Sequence, residues 1–111
     1  MVNAAVAKSK QSWYVYMIRA NDNSLYTGIT TDLGRRLAEH KGEAVGVYKG
    51  AKALRSKRRL EMVFSHAVEN RSLASKIECR IKRLSKAKKE ALVNGQLSLQ
   101  NLEGESQITG K

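Results

Sequence analysis

Between Trp13 and His40 the chain switches periodicity in a way that few small folds accommodate. Residues 12–20 are rich in aromatic and β-branched side chains and predict a strand. Asn21-Asp22-Asn23-Ser24 is a cluster of turn formers. Residues 25–29 predict a second strand, so the two make an antiparallel hairpin. Thr30, Thr31 or Asp32 then caps a helix that runs to about His40. Leu33 and Leu37, one turn apart, turn one side of that helix to the core. Gly34 costs such a helix about 1 kcal/mol relative to alanine, which suggests close approach of another backbone or of a ligand.

Beyond this block the signals are weaker. Residues 41–59 are rich in glycine and lysine and read as a long loop with a short helical piece. A loop of that length in a small domain is usually functional or disordered. Residues 60–68 alternate loosely and predict a third strand, on which His66 reads as a packed or solvated side chain. Residues 72–92 predict one long helix, capped by Asn70 or Ser72, with Leu73, Ile77, Ile81, Leu84 and Ala91 in one apolar stripe. Proline is absent, so no helix is interrupted by one. The expected organisation is a flexible arm over 1–11, a domain over 12–94 and a disordered tail over 95–111.

Charge narrows the class. The 111 residues carry a formal net charge of +11. Almost all of the excess lies within 12–92, where 18 basic residues face 8 acidic ones. A folded domain with that imbalance repels itself unless an anion offsets it. Nucleic acid is the leading partner, because lysine and arginine gain affinity by releasing counterions from phosphates. The alternative is a solvated basic surface. The single cysteine, Cys79, excludes an internal disulfide and a multi-thiolate metal site. No run of 18 apolar residues offers a membrane span. The amino terminus lacks the pattern of a secretory signal, so a cytoplasmic protein is expected.

Three groups of residues can carry chemistry. Arg36 and His40 stand four apart and share a helix face at the edge of the core. An arginine there can fork onto a phosphate, and a histidine can move a proton near neutral pH. Tyr14 and Tyr16 share one face of the first strand, while Tyr26 and Gly28 share one face of the second. Whether Tyr16 and Tyr26 meet depends on a register that the residues leave open. Glu78 borders the apolar stripe of the long helix, where a carboxylate is partly desolvated and calls for a cation. Lys82, one turn on, is one candidate and Mg²⁺ another.

These residues carry a resemblance. Tyr14-Val15-Tyr16 and Tyr26-Thr27-Gly28 resemble the paired motifs of the GIY-YIG nuclease domain, in its small stand-alone bacterial branch. The ten-residue spacing from Tyr16 to Tyr26 fits. So does the following Ile-Thr-x-x-Leu-x-x-Arg-Leu run, with Arg36 at the arginine position and His40 where the family has histidine or tyrosine. The Ala74-x-x-x-Glu78-x-x-Ile81-Lys82 run is similar to the helix that bears the metal carboxylate. The first motif has Tyr14 in place of its glycine. Glu90 stands where many relatives have asparagine.

The resemblance implies a small α/β domain of the α+β type, a three-stranded antiparallel sheet flanked by helices. It implies hydrolysis of phosphodiester bonds with one divalent cation, Mg²⁺ or Mn²⁺, held by Glu78. Tyr16 would help remove a proton from the attacking water. Tyr26 would complete the hydrogen-bond network, Arg36 would stabilise the scissile phosphate and His40 would assist Tyr16 or the water. The expected function is a DNA nuclease of low sequence specificity, selective for structure and linked to DNA repair or processing. Lys49, Lys52, Arg55, Lys57, Arg58, Arg59 and Lys82 are the expected nucleic-acid grip, suited to phosphates more than to bases. RNA stays open as a substrate, and an unidentified protein as a partner. The rival reading is a non-catalytic nucleic-acid-binding module that keeps the nuclease fold.

Overall fold

A computed structural model of the chain describes residues 12–42, 49–55 and 57–99. Strand β1 (Trp13–Arg19) and strand β2 (Leu25–Thr30) form the expected hairpin, and helix α1 (Leu33–Lys41) follows at once. A 3-10 turn at Lys52–Leu54 leads to strand β3 (Glu61–Val68), then to helices α2 (Arg71–Lys82) and α3 (Lys86–Val93). The sheet is antiparallel with order β2-β1-β3. Asp32 is the residue that caps α1, its carboxylate accepting the Arg35 N–H at 3.0 Å. Asn70 caps α2 in the same way through the Leu73 N–H at 2.9 Å.

The central strand explains the layering. β1 is hydrogen-bonded on both edges, and Val15, Tyr16, Met17 and Ile18 are all buried. Alternate side chains therefore serve two cores. Val15 and Met17 pack with Ala74, Ile77, Ile81, Leu92 and Leu99 from the carboxy-terminal helices and beyond. Tyr16 and Ile18 pack on the other face with Leu33, Leu37, Leu54 and Leu60. The second face, under α1, is the one that carries the sequence motifs.

Three sequence expectations change. The helix expected over 72–92 is two helices. α2 closes when the amides of Arg83 and Leu84 turn back to the carbonyls of Arg80 and Ile81. Ser85 then caps α3 by accepting the Lys88 N–H at 3.2 Å. The break re-aims α3 so that Leu92 reaches the core. As a result the apolar stripe of α2 is Ala74, Ile77 and Ile81, and Leu73 lies outside it at 39% exposure. Gly34 is exposed, and a side chain there would meet only the Asp32 carboxylate at 3.8 Å. No described residue approaches it closely. Residues 95–99, expected in the tail, lie against the first core. Gly95, with φ +86°, lets the chain leave α3, and the Gln96 N–H bonds back to Ala91. Leu97 packs on that core and Leu99 is buried in it. The expected arm over 1–11 and the remainder of the tail lie outside the described residues.

Far from the motifs, an ion pair ties β1 to α3. The Arg19 guanidinium donates to both Glu90 carboxylate oxygens, at 2.7 and 2.6 Å, and to Asn23 at 2.8 Å. Glu90 therefore has a structural partner. The corrected stripe predicts a contrast. Ile81→Ala should lower unfolding stability by about 2–5 kcal/mol, while Leu73→Ala should cost less than about 1 kcal/mol. Urea unfolding of the two variants checks this, and equal losses would restore the single-helix stripe.

Candidate active site

The strand register settles what the residues left open. Tyr16 pairs with Gly28 across the hairpin, and Ile18 pairs with Tyr26. Tyr16 and Tyr26 are thus diagonal neighbours on one face, with ring centroids 6.3 Å apart. His40, at the last turn of α1, completes a triangle of rings. Its centroid is 5.9 Å from that of Tyr16 and 5.3 Å from that of Tyr26, the latter edge-on.

Gly28 makes the triangle possible. A Cβ built at position 28 would sit 2.5 Å from the Tyr16 hydroxyl oxygen, 2.7 Å from its Cζ and 3.1 Å from the Tyr26 ring. The Tyr16 ring lies across the bare backbone of β2. A glycine inside a strand commonly marks such an approach.

Hydrogen bonds orient the cluster. The Tyr16 hydroxyl and His40 Nε2 are 2.8 Å apart and buried. The Ala51 N–H donates to His40 Nδ1 at 3.0 Å. With Nδ1 accepting, the neutral ring carries its proton on Nε2, so His40 donates to the Tyr16 oxygen. The Arg36 guanidinium stands near enough for its charge to favour the ionised form of that hydroxyl. Tyr16 therefore accepts from His40, with Arg36 beside it. Arg36 is anchored by Glu39 at 2.7 Å and by the Lys49 carbonyl at 3.0 Å.

Burial governs the protonation states. The Tyr16 pKa is pushed up to about 12, chiefly by burial, with Arg36 pulling it down and the charges of Tyr26 and Glu78 adding to the rise. His40 is pulled down to about 4, first by burial and then by the Arg36 charge. At neutral pH the cluster is a phenol held by a neutral imidazole. In the free domain His40 is thus held neutral well below the ordinary histidine range. A ring this desolvated and pinned at Nδ1 is a fixed donor.

Glu78 arrives from the helix on the opposite face of the sheet. Its carboxylate is 22% exposed and pairs with Lys82 Nζ at 3.1 Å. Its charge is felt by Tyr16. Among the described residues no group of three acidic, histidine or cysteine side chains could cage a metal. A single half-buried carboxylate, held by Lys82 in this structure, could serve Mg²⁺ or Mn²⁺, hard ions that keep several waters and share substrate oxygens. The residues present therefore fit a single, substrate-completed ion.

The basic residues divide into two kinds. Lys49, Lys52, Arg55, Arg58 and Arg59 are exposed. Lys57 is half-buried and pairs with Asp22 in the hairpin turn. The backbone of Arg58 exchanges hydrogen bonds with Asn21 in the same turn. Lys82 serves Glu78. Cys79 is exposed on α2, and His66 is exposed on β3. Sequence reasoning missed the Ala51 amide, because a backbone donor leaves no trace in residue type. It also missed the seating role of Gly28, although the strand faces pointed to it.

Two outcomes follow from this geometry. Gly28→Ala should cost about 1–3 kcal/mol through forced overpacking and displace the Tyr16 ring, visible in the aromatic NMR shifts of Tyr16 and His40. An unshifted spectrum at full stability would remove the close approach. Because the folded His40 pKa lies below the unfolded value of 6.5, the unfolded chain binds the proton first. Stability is full above pH 6.5 and falls as pH drops towards 4, by on the order of 2–3 kcal/mol. Thermal melts between pH 4 and 7 should show this slope, and His40→Gln should flatten it.

A family profile described as the GIY-YIG catalytic domain matches residues 12–91. A UPF0213 protein of Enterobacter sp. strain 638 is 53% identical over 90 residues, covering 81% of this chain and 83% of that one. The UPF0213 protein YhbQ of Salmonella arizonae is 51% identical over 90 residues, covering 81% and 85%. A UPF0213 protein of Bacillus halodurans solved by solution NMR is 32% identical, covers 75% of this chain and 83% of that chain, and superposes with a TM-score of 0.47. No helix among the described residues is long and apolar enough to cross a membrane. With motifs, register and relatives in agreement, the chain belongs to the GIY-YIG family of nuclease domains.

Proposed function

We propose that the protein is a metal-dependent nuclease that hydrolyses phosphodiester bonds in DNA with low sequence specificity, selects for DNA structure, and serves repair or processing in the cytoplasm. The observation that carries this reading is the Tyr16–His40–Ala51 chain of hydrogen bonds beside Arg36 and Tyr26. A core would not need a phenol so arranged, since its oxygen is held by a buried imidazole while its ring strips a neighbour of any side chain.

In this reading Tyr16 helps remove the proton of the attacking water, acting as the phenolate after its own proton has left to solvent. Its raised pKa makes that form scarce in the free domain. The Arg36 charge favours the phenolate against that burial. Arg36 is placed to meet negative charge on the scissile phosphate, exchanging contacts with Glu39 and the Lys49 carbonyl for contacts with the substrate. Tyr26 borders both rings and completes the polar surface. His40 holds the Tyr16 oxygen and keeps its own protons. Glu78 would hold Mg²⁺ or Mn²⁺, which when bound acidifies water and polarises the phosphate. The exposed cations Lys49, Lys52, Arg55, Arg58 and Arg59 supply the sequence-independent grip.

The test is cleavage of labelled single-stranded, duplex, flapped, forked and four-way-junction DNA with Mn²⁺. Wild type should cut at least one of these, while Glu78→Ala and Tyr16→Phe should lose about 100-fold or more in rate and keep binding within a few-fold. If wild type binds these DNAs without cutting any, the protein is instead the non-catalytic binding module that shares the fold. Equal cutting by Glu78→Ala would remove that residue from the reaction.

A further inference from the structure

Tyr14 is an aromatic side chain that the fold leaves unused. It lies on the same face of β1 as Tyr16, two residues and therefore about 6.6 Å along the strand. It is half-buried, yet it packs into neither of the two hydrophobic cores. Among the described residues its hydroxyl has no hydrogen-bond partner and its ring no aromatic or cationic neighbour. Trp13, next to it, packs on the first core and receives Arg71 over its ring at 5.7 Å. An aromatic ring normally gains its stability from full burial or from a polar partner; Tyr14 is only half-buried and has no polar partner among the described residues.

Its surroundings keep that ring accessible. On β3 the residue across from Tyr14 is Ala67, and the one across from Tyr16 is Ser65. Both are small and both are exposed. On β2 the cross-strand partner is Thr30, which is buried, and the next on that face is Gly28. The sheet surface beside Tyr16 is therefore low on both sides of one projecting ring. β3 is an edge strand, so this surface runs to the border of the sheet.

We propose that the Tyr14 ring stacks on the nucleobase next to the phosphodiester engaged at Tyr16 and Arg36, and thereby positions that nucleotide. The inference rests on the nuclease reading for the location of the phosphate and names what that site holds beside it. Charge complementarity supports the occupant, because the chain carries a net charge of +11 and Arg36 stands at Tyr16 on the same face, and an aromatic platform near basic side chains is the recurrent arrangement for bases that show an open face. The phosphates supply sequence-independent attraction and Tyr14 supplies the contact to the base. Stacking tolerates every base, so it fixes the register of the strand without reading sequence.

The experiment is a two-by-two comparison on the full chain in the absence of divalent metal, read by fluorescence anisotropy. The probes are a short oligothymidylate and a strand of equal length with abasic sugars, which keeps every phosphate and removes every base. Tyr14→Ala should weaken binding to the oligothymidylate by about five- to a hundredfold, the range of one base–aromatic stack. It should change binding to the abasic strand less than twofold. Tyr14→Phe should retain wild-type binding to both. The salt dependence should keep its slope, since no charge is altered. Thermal melting checks that each variant is folded at the temperature of the binding measurement, and Tyr14→Phe keeps the ring where Tyr14→Ala lowers stability.

Equal weakening on both strands, or none on either, would overturn the stacking. Cleavage of the single-stranded, duplex, flapped, forked and four-way-junction DNAs with Mn²⁺ separates the two readings. Tyr14-dependent base preference with no cutting of any of them would sink the nuclease and keep the stack. Cutting with no Tyr14-dependent preference would do the reverse.

Discussion

The Tyr16 ring fills the space that a side chain at position 28 would need, and the rest of the site is arranged around that occupancy. Pairing Tyr16 directly with Gly28 sets the hairpin register. The same register brings Tyr26 to the diagonal and leaves room for His40 to close over both. Because β1 is the middle strand, the ring is buried while its oxygen stays among polar donors. Burial raises the cost of ionising the phenol, and the Arg36 charge works against that cost. The domain therefore stores a reluctant base together with the groups able to stabilise its charged form.

The basic excess has two uses in the structure. Part of it secures the hairpin turn far from the rings. Lys57 pairs with Asp22, Lys86 donates to the Asn23 carbonyl, and Arg19 bridges to Glu90. These contacts tie the β1–β2 turn to the segment before β3 and to α3. The remaining exposed cations between Lys49 and Arg59 have no such duty among the described side chains. A charge count alone does not separate the two groups, since both are lysines and arginines in a polar stretch.

Much of the fold was legible because it rests on local rules. The turn cluster at 21–24, the caps at Asp32 and Asn70 and the alternation of β1 are written in residue type and spacing. The break at Ser85 was hidden because Leu73, Leu84 and Ala91 continue a helical stripe that the chain does not use as one surface. Propensity cannot show that Leu92 has to turn back to the core. Arg36 and His40 were legible as a pair on one helix face. The behaviour of His40 was not, because its desolvation and its partner at Ala51 come from chain segments brought together only on folding. Gly34 looked like a contact and is open space, whereas Gly28 is the tight one.

The bond from Ala51 to His40 has a consequence for how the site can vary. Its donor is main chain, so nearly every substitution at position 51 leaves it in place. Proline is the exception, since it has no N–H to give. Ala51 has φ −69°, an angle that a proline ring adopts without strain. A single codon change can thus replace the hydrogen that supports the imidazole with a ring carbon, which cannot fit within the 3.0 Å between Ala51 N and His40 Nδ1 and would push the ring away. The histidine would then be free to carry its proton on either nitrogen, and the phenol beside it would lose a donor of fixed direction.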